Sequence, residues 1–363
     1  MEVAVLGGGH GCYAAAADIA EAGHSVRFWR RNTLAFAPVL DTQSITLTDT
    51  RGRRTIPLTL ATENIAEAID GAQLILSPIP GFAQEELARM MAPSLREGQV
   101  IFLPPGTFGS YVMAQEILQH GNTTSGLAFA DAGTLPWLVR KQSDGAIRIT
   151  TRAERLPTGI FPNRLADHGF SVINQIFPAV EQRADALDAA LLNYGPIIHP
   201  PLILMNAGPL SHFDSWDIHN EGTQEVVRNV QDALDAERIA IREALGYSEP
   251  HFPLSDHYKR DPKGNTMYPV TSHDELVESS DWREKIDLHS HRYMLEDIAL
   301  GLMFIVSVGE WLGVPCPVAS GLVETGGAAI GQDFRKTGRT LDNLGLGGIT
   351  RDDFHILLNK GIG

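Results

Sequence analysis

The chain opens on a short apolar segment that runs directly into glycines. Its first residues read MEVAVLGGGHGC, and an alanine-rich stretch covers residues 13–22. The apolar segment Val3–Leu6 predicts a buried strand, and the alanines predict a helix. A strand, a glycine turn and a helix in this order are the context in which a G-x-G-x-x-[GA] pattern indicates a dinucleotide site.

The glycine turn supplies what a pyrophosphate group needs. Gly7 allows a tight turn, and Gly9 carries no side chain, so the backbone can approach the anion closely. The start of the helix adds unpaired N–H groups and the positive end of the helix dipole. Cys12 stands where a third Gly or Ala is usual, and it is still small enough for close packing. We therefore expect a cofactor-binding loop that consists of Gly7, Gly8, Gly9, His10, Gly11 and Cys12. The alternative is a strand–helix turn that binds no ligand.

A second predicted strand, Ser25–Trp29, is followed by Arg30 and Arg31. NAD-binding folds usually carry an acidic residue here, which accepts a hydrogen bond from the ribose 2′-hydroxyl. An acid would repel a 2′-phosphate, whereas an arginine can pair with it and stack on adenine. We therefore predict NADP(H) in preference to NAD(H), unless both arginines are only solvated surface charges.

Strands and helices continue to alternate along the first half of the chain, which predicts a parallel sheet with one crevice at its strand C-termini. Gly7, Pro78 and Pro105 should lie at that edge, although both prolines are also ordinary loop residues. From residue 185 the chain is predominantly helical. We predict an α/β, Rossmann-type doubly wound domain over 1–185 and an all-α domain over 186–363. Further strands are predicted at 44–48, 55–60, 74–76, 99–103, 127–130 and 146–151, and helices at 63–69, 84–91, 187–192, 226–243, 274–278 and 293–312.

The composition argues against several classes of partner. A formal net charge of -15 disfavours broad binding to nucleic acid or to an anionic membrane. The longest apolar stretch, Ile298–Val314, contains Glu310 and is short for a bilayer span. Cys12 and Cys316 make no disulfide framework, and no secretory signal is recognisable. We therefore expect a cytoplasmic protein without a metal.

Two segments of the second domain carry candidate catalytic groups. His199 lies in the sequence YGPIIHPP, where the following proline disfavours helix and the apolar neighbours indicate burial. Burial would keep a neutral imidazole available as a base, with a structural histidine as the alternative. Arg292 and Asp297 are five residues apart, about 140° around a regular helix, so they would not share a face of it. They could still serve one cleft if the helix begins near Arg292 and its long side chain folds back. Pairing of Arg292 with Glu296 at i,i+4 is the alternative there.

The combination of these segments resembles the opine (octopine/nopaline) dehydrogenase family. The resemblance rests on the glycine turn, on His199-Pro200 followed by Asn206-Ala207-Gly208, and on the downstream Arg292 and Asp297. It spans nearly the whole chain. Members of this family join an amino acid to a 2-oxo acid through an imine that NAD(P)H reduces.

The resemblance also implies roles for individual residues. His199 would be the acid/base, Asp297 its orienting partner and Arg292 the clamp on a substrate carboxylate. Asp131 and Thr134 would lie in a polar loop near the substrate. Several members of the family are expected to have a polar residue in place of Gly195, so the resemblance does not identify the substrate.

Two other functions remain open. A reductase of a 2-oxo acid or a phosphorylated ketone, similar to ketopantoate or glycerol-3-phosphate dehydrogenases, would share the first domain. Those enzymes normally use a catalytic Lys, and none accompanies the segments around His199 and Arg292. A non-catalytic NADP-binding sensor would need only the glycine turn. The expected partners are an amino acid and a 2-oxo acid. The sequence decides neither their identity, nor the physiological direction, nor whether the chain forms a homodimer.

Overall fold

The computed structural model describes residues 1–261 and 263–362, and the chain divides into two units. The first comprises Met1–Ala190 together with the C-terminal residues from Phe354 onward, and the second comprises Leu191–Asp353. The boundary predicted at residue 185 falls just before the helix Ala186–Ala190, which packs on strands of the first unit. The ring of Phe354 lies 6.1 Å from that of Phe108, so the end of the chain returns to the first unit.

The strands of the first unit form two sheets. The main sheet has the order β12-β11-β8-β7-β6-β1-β2-β5, and its neighbours are parallel except for β11 and β8. The small sheet has the order β4-β3-β10-β9. The strands are β1 (Glu2–Leu6), β2 (Ser25–Trp29), β3 (Ser44–Asp49), β4 (Gly52–Pro57), β5 (Leu60–Thr62), β6 (Leu74–Leu76), β7 (Val100–Leu103), β8 (Ala128–Ala132), β9 (Trp137–Ser143), β10 (Ala146–Arg152), β11 (Leu156–Phe161) and β12 (Val180–Gln182).

The parallel sheet that was predicted from the alternation of strands and helices is confirmed. Its central strands β1, β6 and β7 are fully buried apart from Glu2, as expected for strands covered on both faces. Val3 pairs with Leu74, and Leu74 pairs with Val100, so the three strands end at one edge. Gly7, Pro78 and Pro105 follow these strands and lie at that edge.

The small sheet was only partly predicted from the sequence. Residues 55–60 were predicted to be one strand, and this was wrong. Their first part belongs to β4, which pairs with β3, whereas Leu60 begins β5 at the edge of the main sheet. The chain therefore changes sheets within a single alternating run. The small sheet packs against the first helix.

The helices of the first unit cover both faces of the main sheet. They are α1 (His10–Glu21), α2 (Ala37–Thr42), α3 (Ile65–Ile69), α4 (Gln84–Met91), α5 (Gly109–Gln119), α6 (Ala166–Ile173) and α7 (Ala186–Ala190). Side chains alternate along a strand, so each strand supplies both faces. Val3, Val5, Phe28 and Phe102 share a core with α1 and α6.

The second unit is helical, as predicted, with one isolated β-bridge among its described residues. Its elements are α8 (Gly195–Met205), α9 (Ala207–His212), α10 (Glu225–Ala244), α11 (Leu254–His257), α12 (Ser272–Ser279), a π-helix (Tyr293–Leu302), α13 (Met303–Leu312), α14 (Pro317–Ile330), α15 (Phe334–Thr337) and α16 (Arg351–Lys360), which continues into the first unit. None of the described helices is long and apolar enough to cross a membrane.

The helix α8 contradicts the prediction that Pro200 would disfavour helix at His199. Both Pro200 and Pro201 lie inside it. Six of its residues are buried, and this packing outweighs the local cost of the prolines; they are Pro196, Ile197, Pro200, Pro201, Leu202 and Ile203. The side-chain amide of Gln231 donates to the carbonyl of Ile198 at 3.0 Å, which ties α8 to α10.

A glycine in β11 gives a test of the packing in the first unit. A Cβ on Gly159 would overlap with the carbonyl group of Asp185, and backbone cannot move aside easily. Gly159→Ala should therefore lower the free energy of unfolding by at least about 2 kcal/mol. At Gly145 a Cβ would meet only Pro38, at 3.6 Å, so Gly145→Ala should change stability by less than about 0.5 kcal/mol. Urea unfolding measures both, and equal effects would contradict the packing described.

Candidate active site

The glycine loop, residues 7–12, connects β1 to α1. Gly7 has a φ of 126°, which favours glycine, and a Cβ there would lie 2.6 Å from Ile79. Gly9 precedes α1 in an extended conformation, and nothing lies within 4 Å of the position that its Cβ would take. The start of α1 is therefore open at Gly9, where a pyrophosphate could reach the helix N–H groups. This geometry fits a dinucleotide.

The helix α1 begins at His10 and not at Tyr13, so His10, Gly11 and Cys12 form its first turn. A Cβ on Gly11 would lie 3.0 Å from Cβ of Pro78, which places this proline against the loop. Cys12 is fully buried, and burial raises the pKa of its thiol to about 12. Cys12 is therefore an inert packing residue between strand and helix, consistent with its small size.

Arg30 and Arg31 lie in different surroundings. The Arg30 side chain lies against Gly8, where a Cβ would overlap with it, and its Nη1 donates to the hydroxyl of Tyr13 at 3.0 Å. It is 14% exposed. Arg31 is exposed and pairs with Glu86 on α4. Arg30 is thus held at the glycine loop, whereas Arg31 has the surroundings of a surface charge.

Lys141 on β9 joins this cluster, and the sequence did not single it out. Its Nζ lies 4.3 Å from the centroid of the Tyr13 ring and 3.0 Å from Oδ1 of Asp144. The same carboxylate oxygen lies 3.5 Å from Arg30. Two cations therefore share one carboxylate beside the loop. The backbone N–H of Lys141 donates to Nδ1 of His10, 131 residues away along the chain, which is why spacing could not reveal the contact.

In the second unit, the structure brings together the two predicted catalytic residues. Nδ1 of His199, on α8, lies 2.8 Å from Oδ2 of Asp297, on the π-helix, and both side chains are largely buried. The Tyr293 ring stacks on the imidazole, with centroids 3.8 Å apart. The His219 ring lies edge-to-face at 5.9 Å. The imidazole is therefore fixed in orientation by a carboxylate and two rings.

The π-helix changes how Arg292 and Asp297 are related. We predicted a regular helix over 293–312, in which residues five apart do not share a face. In Tyr293–Leu302 the hydrogen bonds instead join residues i and i+5, so residues five apart lie nearly above one another. Arg292 directly precedes this segment, and its charge acts against the rise that burial causes in the pKa of Asp297. The prediction of a regular helix was therefore wrong over residues 293–302.

The charges around the pair set its protonation. Burial raises the pKa of Asp297 above its ordinary value, and the charges of Arg292 and His291 oppose this shift. Since Asp297 and His199 are in contact, their titration belongs to the pair. Partial loss of hydration acts to lower the pKa of the Arg292 guanidinium, but the charges of Glu296 and Asp297 raise it overall, so Arg292 stays charged.

Arg292 also meets Glu296, as the alternative interpretation of the sequence proposed. Its Nη1 lies 4.0 Å from Oε2 of Glu296, and its side chain is 54% exposed. This distance is at the limit of an ion pair. Arg292 is therefore charged, accessible and only loosely held.

Two glycines let α8 and the π-helix approach closely. A Cβ on Gly195 would overlap with the Asp297 carboxylate, and one on Gly301 would overlap with the ring of Pro196. The resemblance predicted a polar side chain in place of Gly195 in several relatives. In this chain the Asp297 carboxylate lies where such a side chain would begin.

Asp131 and Thr134 lie in the first unit, at and beyond the end of β8. Asp131 is fully buried, and its Oδ2 accepts hydrogen bonds from the hydroxyl and the backbone N–H of Ser110. This contact holds the start of α5. Thr134 is also buried. Direct contact of these two residues with a substrate stays a prediction.

Sequence reasoning also missed Tyr293 and His219. Tyr293 directly follows Arg292 in the sequence. This position at the start of the predicted helix was the only sign that its ring could lie near the candidate residues. His219 is one of 13 histidines and lies in an irregular loop, with no spacing that marks it. Among residues 1–261 and 263–362, no group of His, Cys, Asp and Glu has the arrangement of a metal site.

Two family models match the chain, one in each half. The model described as NAD/NADP octopine/nopaline dehydrogenase, alpha-helical domain, matches residues 182–330. The model described as NAD-dependent glycerol-3-phosphate dehydrogenase N-terminus matches residues 2–105. An opine dehydrogenase from Arthrobacter sp. (strain 1C) is 27% identical over 350 residues, which cover 96% of this chain and 96% of that protein. The second half of the chain thus matches the octopine/nopaline dehydrogenase helical domain, and the chain as a whole is similar to an opine dehydrogenase.

Solved structures of octopine/nopaline-type enzymes agree in fold. Octopine dehydrogenase in complex with NADH and agmatine has a TM-score of 0.74 at 17% identity, covering 99% of this chain and 98% of that chain. Yersinopine dehydrogenase with NADP+ bound has a TM-score of 0.67 at 15% identity, covering 99% and 98%. These matches confirm a Rossmann-like NAD-binding domain, a helical domain and an NAD(P)-dependent oxidoreductase of the opine dehydrogenase type.

The close approach of Gly195 to Asp297 gives a test of the site. Gly195→Ala should displace the Asp297 carboxylate from His199 and lower kcat by a factor on the order of 10², with coenzyme binding unchanged. Gly208→Ala is the matched control, because it lies in the next helix with nothing within 4 Å of its Cβ position. Steady-state kinetics and coenzyme fluorescence measure both. Unchanged kcat in Gly195→Ala would show that this close approach is not needed.

Proposed function

We propose that the chain condenses an amino acid with a 2-oxo acid and reduces the resulting imine, with His199 as the acid/base. The observation that supports this is the 2.8 Å contact between Nδ1 of His199 and the buried carboxylate of Asp297. A carboxylate in this place holds the imidazole in one orientation and stabilises its protonated form. Asp297 is therefore the orienting partner of His199.

The reaction needs protons in a defined order. The amine attacks the carbonyl carbon, water leaves, and the imine nitrogen becomes a better electron sink when it is protonated. With Nδ1 engaged by Asp297, His199 exchanges its proton with the substrate through Nε2. Bound NAD(P)H supplies the hydride that reduces the imine carbon.

Arg292 is the proposed clamp for a substrate carboxylate. Its guanidinium is charged and half exposed, and Glu296 holds it only at 4.0 Å. A carboxylate can bind a planar guanidinium through two parallel hydrogen bonds, which is a stronger contact than this long ion pair. The position of Arg292 one π-helical turn from Asp297 links the clamp to the acid/base pair. Asp131 and Thr134 remain candidates for further substrate contacts.

The proposed coenzyme is NADP(H) in preference to NAD(H). The solved relatives include one with NADH and one with NADP+, so the fold alone does not select between them. Arg30 and Lys141 share a single carboxylate, Asp144, which leaves positive charge beside the glycine loop. A 2′-phosphate would complete that charge balance. Burial lowers the pKa of Lys141, and contact with an anion would oppose this shift.

A substrate panel tests the reaction. Consumption of NADPH should require both a 2-oxo acid and an amino acid. His199→Gln should reduce turnover of the best pair by a factor on the order of 10² or more, because the proton donor is lost, while NADPH binding measured by fluorescence stays unchanged. Oxidation with the 2-oxo acid alone would favour a simple oxo-acid reductase, and NADPH binding without turnover on any pair would favour a sensor. Full activity of His199→Gln would remove the assignment of His199.

Coenzyme choice is tested separately by binding. Arg30→Gln should weaken NADPH binding at least about tenfold and leave NADH binding nearly unchanged, because only NADPH carries the 2′-phosphate. Arg31→Gln is the matched control and should change neither, since Arg31 pairs with Glu86. Fluorescence titration gives both dissociation constants. Equal binding of the two coenzymes by the wild-type protein would contradict the proposed preference.

A further inference from the structure

A polar cavity of about 450 Å³ lies within the second unit. Its walls come from the loop before α10, the first turn of α10 and the first turns of α12, and they include His219, Arg228 and His273. His219 also packs against the ring of His199, with centroids 5.9 Å apart. One histidine therefore lines the cavity and contacts the proposed acid/base.

Arg228 is the notable cation of this cavity. Across the described residues it has no carboxylate within ion-pair distance, and its Nε is buried without a hydrogen-bond partner. Its guanidinium lies over the Tyr258 ring, 4.5 Å from the centroid. Arg238, further along the same helix, is paired in the usual way for a buried arginine, because its Nε donates to Asp235 at 2.7 Å. A buried guanidinium nitrogen without an acceptor is costly, so Arg228 is suited to an anion that arrives with a ligand.

The groups around Arg228 leave its charge largely uncompensated. Burial lowers the pKa values of His257, to about 4, and of His273, and the charge of Arg228 adds to both shifts. Both rings are therefore neutral near pH 7. Asp274 is paired with Arg260 at 2.6 Å on the exposed side of the cavity. Two further carboxylates, Asp232 and Glu278, are exposed to water, which screens them.

We propose that this cavity binds a second carboxylate of the substrate and that Arg228 is its anchor. The inference rests on the proposed function and adds the class of substrate, namely a pair in which one partner is dicarboxylic. Arg292 would hold the carboxylate next to the reacting carbon, and Arg228 the one at the far end. That far carboxylate belongs either to an acidic amino acid or to a dicarboxylic 2-oxo acid, because a guanidinium binds both alike.

Matched substrate pairs distinguish the two sources. Glutamate is compared with glutamine at a fixed 2-oxo acid, and 2-oxoglutarate is compared with 2-oxobutyrate at a fixed amino acid. In one of these arms the wild-type enzyme should prefer the dicarboxylic member. Arg228→Gln should lower kcat/KM for that member roughly 30-fold to 100-fold and change kcat/KM for its neutral counterpart less than about threefold.

Arg260→Gln is the control, because Arg260 lines the same cavity but is already paired with Asp274. It should leave the preference unchanged, and Arg228→Lys should restore part of it. A wild-type enzyme that favours the neutral member in both arms would overturn the proposal. Equal loss on both members in Arg228→Gln, with a lowered Tm, would assign Arg228 to folding and also overturn it.

Calorimetry separates failure of this inference from failure of the proposed function. Glutamate and 2-oxoglutarate are titrated into wild-type and Arg228→Gln protein saturated with NADPH. Binding of one of them that is lost in Arg228→Gln would support the anion site even if no pair were turned over, in which case only the proposed reaction would fall. Equal binding by both proteins, or no binding by the wild type, would overturn the site whatever the reaction proves to be.

Discussion

The close approach of α8 to the π-helix is the constraint on which the proposed chemistry depends. Gly195 leaves room for the Asp297 carboxylate, and Gly301 leaves room for Pro196. A larger residue at either position would separate the helices and lengthen the contact between His199 and Asp297. Burying a carboxylate is unfavourable unless it is paired, and the raised pKa of Asp297 shows that this cost is only partly offset. The helix pair maintains this unfavourable burial, as expected where an acid/base pair must be positioned.

The π-helix contributes the second part of the same arrangement. Wider turns are less favourable than α-helical ones and occur mostly in short segments near functional sites. Here the segment places Arg292 and Asp297 one above the other, which a regular helix cannot do at a spacing of five. The π-helix therefore brings the Arg292 guanidinium close to the Asp297 carboxylate, and Tyr293, whose ring stacks on His199, lies in its first turn. Regular geometry would have required a different residue spacing.

Much of the fold and of the candidate site could be predicted from the sequence, and the wrong or missing predictions share a physical cause. The glycine loop and the parallel sheet followed from local patterns, His199 from its sequence context, and the role of Asp297 from the family resemblance. The helix around Pro200 did not, because buried packing overrides local propensity. The division of residues 55–60 between two sheets, the π-helix and the position of Lys141 were also missed. Each of them depends on contacts between residues distant in sequence, and a pattern with a period of two or 3.6 residues carries no information on these.

Charge placement is the remaining requirement for binding an anionic substrate or coenzyme. A chain with a net charge of -15 repels carboxylates and phosphates at long range, so it must bind them through local cations. Most arginines in the described structure are already paired, as Arg31 is with Glu86 and Arg238 is with Asp235. Arg30, Arg292 and Arg228 belong to the proposed sites, and their carboxylate partners are shared, distant and missing, respectively. Incomplete pairing lowers stability without a ligand, and binding of an anion would offset that loss. We therefore expect these three proposed binding residues to favour recognition at some expense of folding stability.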